Sequence, residues 1–87
     1  MSEESPIEFP CDFVIKIMGA ANDHFENVAL GIAMRHAKKV HTDKTTKKLS
    51  KKGDYVSITL LVHFENKTQM DALYQELRDN PDVLMAL

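Results

Sequence analysis

Tryptophan is absent, and one cysteine, three glycines and three prolines are all that punctuate 87 residues. The single thiol, Cys11, excludes an internal disulfide and suits a reducing compartment. Glycine is too sparse for a phosphate-cradling loop: G-x-G-x-x-G, G-x-x-x-x-G-K-[ST] and G-x-S-x-G are all missing. No apolar run approaches the ~18 residues of a membrane span. The N-terminal "MSEESPIEF" is acidic and lacks an apolar segment, so no signal peptide is expected. Together these absences predict a cytoplasmic protein with no membrane association.

A dominant charge is lacking as well. The net charge is −2, yet it is unevenly spread. Residues 1–12 carry four acids and no base, and residues 65–87 carry five acids and two bases. Residues 35–54 carry eight Lys or Arg against Asp43 and Asp54, a net of +6. A dedicated nucleic-acid binder is usually basic throughout, so this dipolar pattern argues against one. The apolar share of 44% and charged share of 28% are those of an ordinary globular domain, and the length suffices for one core.

Hydrophobic patterning supplies the elements. Residues 1–8 predict a flexible acidic tail ahead of a single domain over 9–87. In "DFVIKIMG", Phe13, Ile15 and Ile17 share one face and Val14, Lys16 and Met18 the other, which predicts a strand ended by Gly19. "NDHFENVALGIAMRHAKK" predicts a helix. Phe25, Val28, Ala29, Ile32, Ala33 and His36 make its apolar stripe, Asp23 with Glu26 suits a capping box, and Lys38 and Lys39 suit the last turn. Gly31 in its interior suits close approach of helix and sheet.

The polar, β-branched run over 40–50 predicts an edge strand, and "KKGD" a turn with Gly53 at positive φ. "YVSITLLVHF" alternates without a break: Val56, Ile58, Leu60, Val62 and Phe64 on one face, Tyr55, Ser57, Thr59, Leu61 and His63 on the other. A second helix follows, capped by Asn66 or Thr68, with Met70, Leu73, Tyr74 and Leu77 inward and Asn80-Pro81 as its stop. "VLMAL" closes the chain as a strand. The order β-α-β-β-α-β predicts an α+β, ferredoxin-like sandwich: a four-stranded antiparallel sheet, spatial order 4-1-3-2, with two helices on one face.

These residues carry little catalytic signal. His24, His36, His41 and His63 show no metal-ligand spacing, so no metal or cofactor is expected. His36 suits a half-buried helix position, His24 and His41 solvent-facing ones. Cys11, between Pro10 and Asp12, has no base beside it and reads as a half-buried structural thiol. No carboxylate pair spans a cleft, and no enzyme activity is expected. Ferredoxin-like RNA binders stack bases on aromatics of the central strands. Tyr55 alone stands there, at a strand end, so nucleic-acid binding is the least favoured reading.

Two surfaces remain. The open sheet face should present Val14, Lys16, Met18, Leu61 and His63, a mixed apolar surface suited to another protein chain or a second copy. Lys47, Lys48, Lys51 and Lys52, with Tyr55 and Ser57 where the turn enters the strand, could attract a small anionic ligand. The simpler account of the lysines is protection of an exposed strand edge.

Certain residues, taken in order, resemble a known family. They are Phe9-Pro10 with Phe13, Lys16, Met18 and Gly19; Arg35-His36-Ala37; Lys52-Gly53 with Tyr55 and Ser57; Leu73-Tyr74 with Glu76-Leu77; and Val83, Met85 and Leu87. This pattern resembles the YbeD family of small bacterial proteins. The resemblance implies a ferredoxin-like fold similar to ACT regulatory domains, which bind small metabolites between domains. It also implies a regulatory or adaptor role, no established enzymatic activity, and a link to lipoate metabolism through neighbouring lipoate-attachment genes. Ile15 and Leu84 depart from the pattern, standing where an aromatic and a basic residue are common.

Overall fold

The structure, a computed structural model, describes residues 8–87. The acidic tail expected at the N-terminus lies, apart from Glu8, outside the described residues. Five strands and two α-helices follow in the order β1 (Cys11–Ala20), α1 (Phe25–His36), β2 (Lys39–Val40), β3 (Thr46–Leu49), β4 (Tyr55–Phe64), α2 (Lys67–Asp79) and β5 (Val83–Ala86). A short 3₁₀ turn, Thr42–Lys44, separates β2 from β3.

The strict alternation of β1 and β4 makes them the central pair. They run antiparallel in unbroken register from Cys11 opposite Phe64 to Ala20 opposite Tyr55. β5 pairs with the outer side of β1, and β2 and β3 both pair with the outer side of β4, so all neighbours are antiparallel. This is the expected 4-1-3-2 arrangement with one correction. The single edge strand expected over 40–50 is two short strands, which makes five strands among the described residues. Val40 pairs with Val62 and Thr46 with Thr59, so residues 41–45 stand opposite only two residues of β4. The surplus is taken up by the 3₁₀ turn. Its β-branched, polar residues carry no periodic signal that could have announced the break.

Both helices cover the face formed by Ile15, Ile17, Val56, Ile58, Leu60, Val62 and Phe64. Against it pack Phe25, Ala29, Ile32 and Ala33 of α1 and Met70, Leu73 and Leu77 of α2. Among the described residues no polar or charged side chain is buried in that core. α2 begins as expected, with the Asn66 side chain accepting from the Gln69 N–H at 2.9 Å. α1 begins differently. Its cap is His24, whose N–H donates to Asn22 Oδ1 at 2.8 Å, and no Asp23–Glu26 capping box forms. Three adjacent polar residues, Asn22, Asp23 and His24, left the start undetermined in the sequence. The helix also ends at His36, before Lys38 and Lys39.

The glycines exchange roles relative to expectation. A side chain at Gly31 would meet only the Arg35 guanidinium, so no close approach to the sheet depends on it. Gly19 does not end its strand. It lies buried within β1, at an irregularity where β1 passes from Met85 to Val83 of β5. A Cβ there would meet the Phe25 ring and come within 2.5 Å of the Asp82 carbonyl oxygen. Gly53 takes φ 77° in the turn before β4, as its position suggested.

Candidate functional site

The sheet face opposite the helices carries no covering element among the described residues. The β1–β4 register sets its side chains in cross-strand rows: Asp12 with His63, Val14 with Leu61, Lys16 with Thr59, Met18 with Ser57. β5 extends the rows through Met85 beside Met18, and Leu87 exchanges backbone hydrogen bonds with Lys16. Val14, Met85 and Leu87 are 59%, 50% and 66% exposed, a high degree for large apolar side chains gathered on one face. All five residues expected on this face, Val14, Lys16, Met18, Leu61 and His63, lie on it. The contribution of the short β5 could not be assigned to a face from its pattern alone.

Strand alternation divides the expected lysine set. Lys48 is opposite Ser57 and shares the open face. Lys47 is opposite Ile58 and points to the helix side, where its Nζ lies 3.8 Å from Glu26 Oε1. Lys51 and Lys52 lie on the turn with Asp54. The structure therefore separates Lys47 from Lys48 and joins Lys48, Tyr55 and Ser57 to Lys16 and Met18. These five line one depression of about 250 Å³ at the β3–β4 end of the open face.

The opposite end of the face holds a charged cluster that the sequence did not reveal. His63 Nδ1 is 2.8 Å from Asp12 Oδ1, and its Nε2 is 3.0 Å from Glu65 Oε2. His41 Nε2 approaches Asp12 Oδ2 to 3.4 Å from a half-buried position, which corrects the expectation that His41 faces solvent. Lys39 is the neighbour of His63 on β2. Hydrogen bonding to Asp12 first, and then to Glu65, holds His63 above its ordinary value of 6.5, against an opposing effect of burial. Hydrogen bonding to His63, aided by His41, holds Asp12 below its ordinary 3.8. Among the described residues, no group of three His, Cys, Asp or Glu side chains is placed to hold a metal ion.

These directions fix a pH profile. His63 contributes its full stabilisation below 6.5 and loses it as pH rises through its raised folded value. Asp12 contributes above 3.8 and loses its share as pH falls through its lowered value. The cluster is therefore most stabilising between those limits. The wild-type thermal midpoint should decline as pH rises past 6.5, and His63→Gln should lose that decline. A variant whose profile superimposes on the wild type would show that the cluster does not set it.

A second cluster clamps the helices together. Glu76 on α2 receives the Arg35 guanidinium through both oxygens, and His36 Nε2 lies 2.6 Å from its Oε1. Arg35 first and His36 second hold the Glu76 carboxyl below its ordinary range. His36 thus takes the half-buried position that its place on the stripe implied. Tyr74 of α2 donates to the Leu87 carbonyl at 3.2 Å, and burial pushes its phenol up. No described helix is long and apolar enough to cross a membrane.

Comparison with known proteins places this geometry. The pattern of the DUF493 family, described as a protein of unknown function, matches residues 4–87. A UPF0250 protein of Nitrosomonas europaea is 41% identical over the full length of both chains. One from Neisseria meningitidis is 36% identical over 99% of this chain and 94% of its own. The solution structure of HP0495 from Helicobacter pylori superimposes with a TM-score of 0.67 at 16% identity, covering 99% of this chain and 90% of that one. The crystal structure of the ACT domain from the GTP pyrophosphokinase of Chlorobium tepidum gives 0.58 at 21%, covering 88% and 97%. The structural likenesses show a shared ferredoxin-like, ACT-type fold. The sequence matches run the length of the chain, and it belongs to the DUF493 family of UPF0250 proteins, the family of the YbeD resemblance.

Proposed function

We propose that the protein is a non-catalytic, ACT-type regulatory or adaptor module that acts by protein–protein contact through its open sheet face. One observation carries this reading: Val14, Met18, Leu61, Met85 and Leu87 gather on the side of the sheet that no described helix covers. Apolar surface of that kind commonly marks contact with another chain. Charge borders it, with His63 and Asp12 at one end and Lys48 on the β3 side, as is usual for an interface, while Lys16 stands within it between Val14 and Met18. The setting is cytoplasmic, and the YbeD resemblance supports lipoate metabolism as its context.

Sedimentation velocity of the full chain tests the proposal, with Val14→Glu and Met85→Glu as the disrupted forms. The expected result is self-association that both variants abolish while circular dichroism shows their fold retained. Equally supportive is a stoichiometric complex with one identified protein that both variants lose. A wild-type chain that stays monomeric at its highest soluble concentration, and captures nothing that the variants do not, overturns the reading.

A second reading has its own observation. Lys48, Tyr55 and Ser57 meet Lys16 around a single depression. That convergence favours a sensor for a small anionic metabolite. Lys47, Lys51 and Lys52 take no part in it.

A further inference from the structure

We propose that the depression at the β3–β4 end of the open face binds a small amphiphilic anion: a carboxylate or phosphate group carried on a short apolar body. The inference rests on the sensor reading and specifies its ligand.

The cationic half comes from two different strands. Lys16 of β1 and Lys48 of β3 flank β4 on either side, with Lys48 in the Ser57 row and Lys16 in the adjacent Thr59 row. Two strand spacings and one row place their backbones roughly 10–12 Å apart, so both ammonium groups can lean over one ligand. Among the described residues no carboxylate lines the depression. Among the described residues neither lysine takes part in an ion pair, whereas Lys47, one position away, has Glu26. Their attraction is thus not spent on any acid among the described residues.

Hydroxyl groups add direction. Ser50 Oγ accepts from the Tyr55 N–H at 3.1 Å, which leaves its own proton free to donate. Ser57, half-buried on β4, presents a second hydroxyl between the two strands that carry the lysines.

The remaining surface is mostly apolar, supplied by Met18, Leu49 and the Tyr55 ring. A bare inorganic anion would leave that surface wet, and a neutral hydrocarbon would leave the ammonium groups without a partner. An anion with an apolar body satisfies both halves. The volume of about 250 Å³ falls below the ~300–1,000 Å³ of drug-sized sites, which calls for a short body. One aromatic ring provides no stacking platform, so an extended nucleic acid does not suit the site.

Amide chemical shifts of the full chain, followed during separate titrations with hexanoate, hexyl phosphate, inorganic phosphate and hexanol, test the proposal. Hexanoate or hexyl phosphate should shift the amides of Met18, Tyr55 and Ser57, and whichever binds more tightly identifies the head group. Lys16→Met and Lys48→Met, which keep the apolar stem and remove the charge, should each weaken binding at least tenfold. Lys51→Met and Lys52→Met should leave it unchanged. Inorganic phosphate binding as tightly as hexyl phosphate would overturn the amphiphile and leave a simple anion sensor. Hexanol binding as tightly as hexanoate would overturn the cationic half. No shift of these amides with any anion, or full binding by the Lys16 and Lys48 variants, would overturn both the ligand class and the sensor reading.

Discussion

Gly19→Ala is expected to cost the fold about 3 kcal/mol, at the upper end of the ~1–3 kcal/mol typical of overpacked cores. The added methyl meets two obstacles of different kinds. The Phe25 ring, at the first turn of α1, is buried in the core, so it must move against packed neighbours. The Asp82 carbonyl oxygen, 2.5 Å from the new carbon, belongs to the backbone leading into β5. Relief therefore requires β5 to shift where it already departs from regular register. In a domain of this size each 1 kcal/mol moves the thermal midpoint by roughly 4–8 °C, so a fall of more than ~10 °C is expected. Urea unfolding checks it directly, and a loss below about 1 kcal/mol would mean that the helix and closing strand yield more easily than their packing implies.

The second large effect is at the centre of the sheet. Ile58→Ala should cost about 2–5 kcal/mol and Ile58→Val about 0.5–1.5 kcal/mol. Ile58 is completely buried, lies opposite Ile17 on β1 and Lys47 on β3, and contributes to the layer on which α1 and α2 rest. Strands on both sides hold its surroundings in place, so the vacated space cannot easily collapse. A domain with roughly 5–15 kcal/mol of total stability would lose a substantial part of it. The graded pair is read from urea midpoints at unchanged m-value. Equal costs for valine and alanine would contradict a rigid, well-filled core at this position.

What could be read in the sequence was what local repetition writes there. Val56 to Phe64 alternate perfectly, and that alone identified β4 and its two faces, while its central place followed from the β-α-β-β-α-β order. Met70, Leu73 and Leu77 did the same for α2. The break between β2 and β3 was invisible because His41, Thr42, Asp43, Lys44 and Thr45 suit a polar strand as well as a turn. Gly19 was misjudged because the groups that require it, Phe25 and Asp82, come together only after folding. Asp12 meets His63, and Arg35 meets Glu76, across separations of 51 and 41 residues, for which no spacing rule exists. The candidate site shows both sides of this. Lys16 and Lys48 each attracted notice, on different surfaces, and only the pairing of β1 and β3 with opposite sides of β4 brought them to one.

The two margins of the sheet are unlike, and this limits stoichiometry. Along β2 and β3 the outer backbone is interrupted by the 3₁₀ turn and bordered by lysines, a poor template for a further strand. Along β5 it is short, bears the exposed Leu84, and has no basic residue. A chain whose described residues leave one receptive margin can be joined there through its backbone once. Two such margins meeting about a two-fold axis satisfy each other and leave no growing end. Head-to-tail addition, which would propagate into a fibre, needs the margin that the lysines and the turn close off.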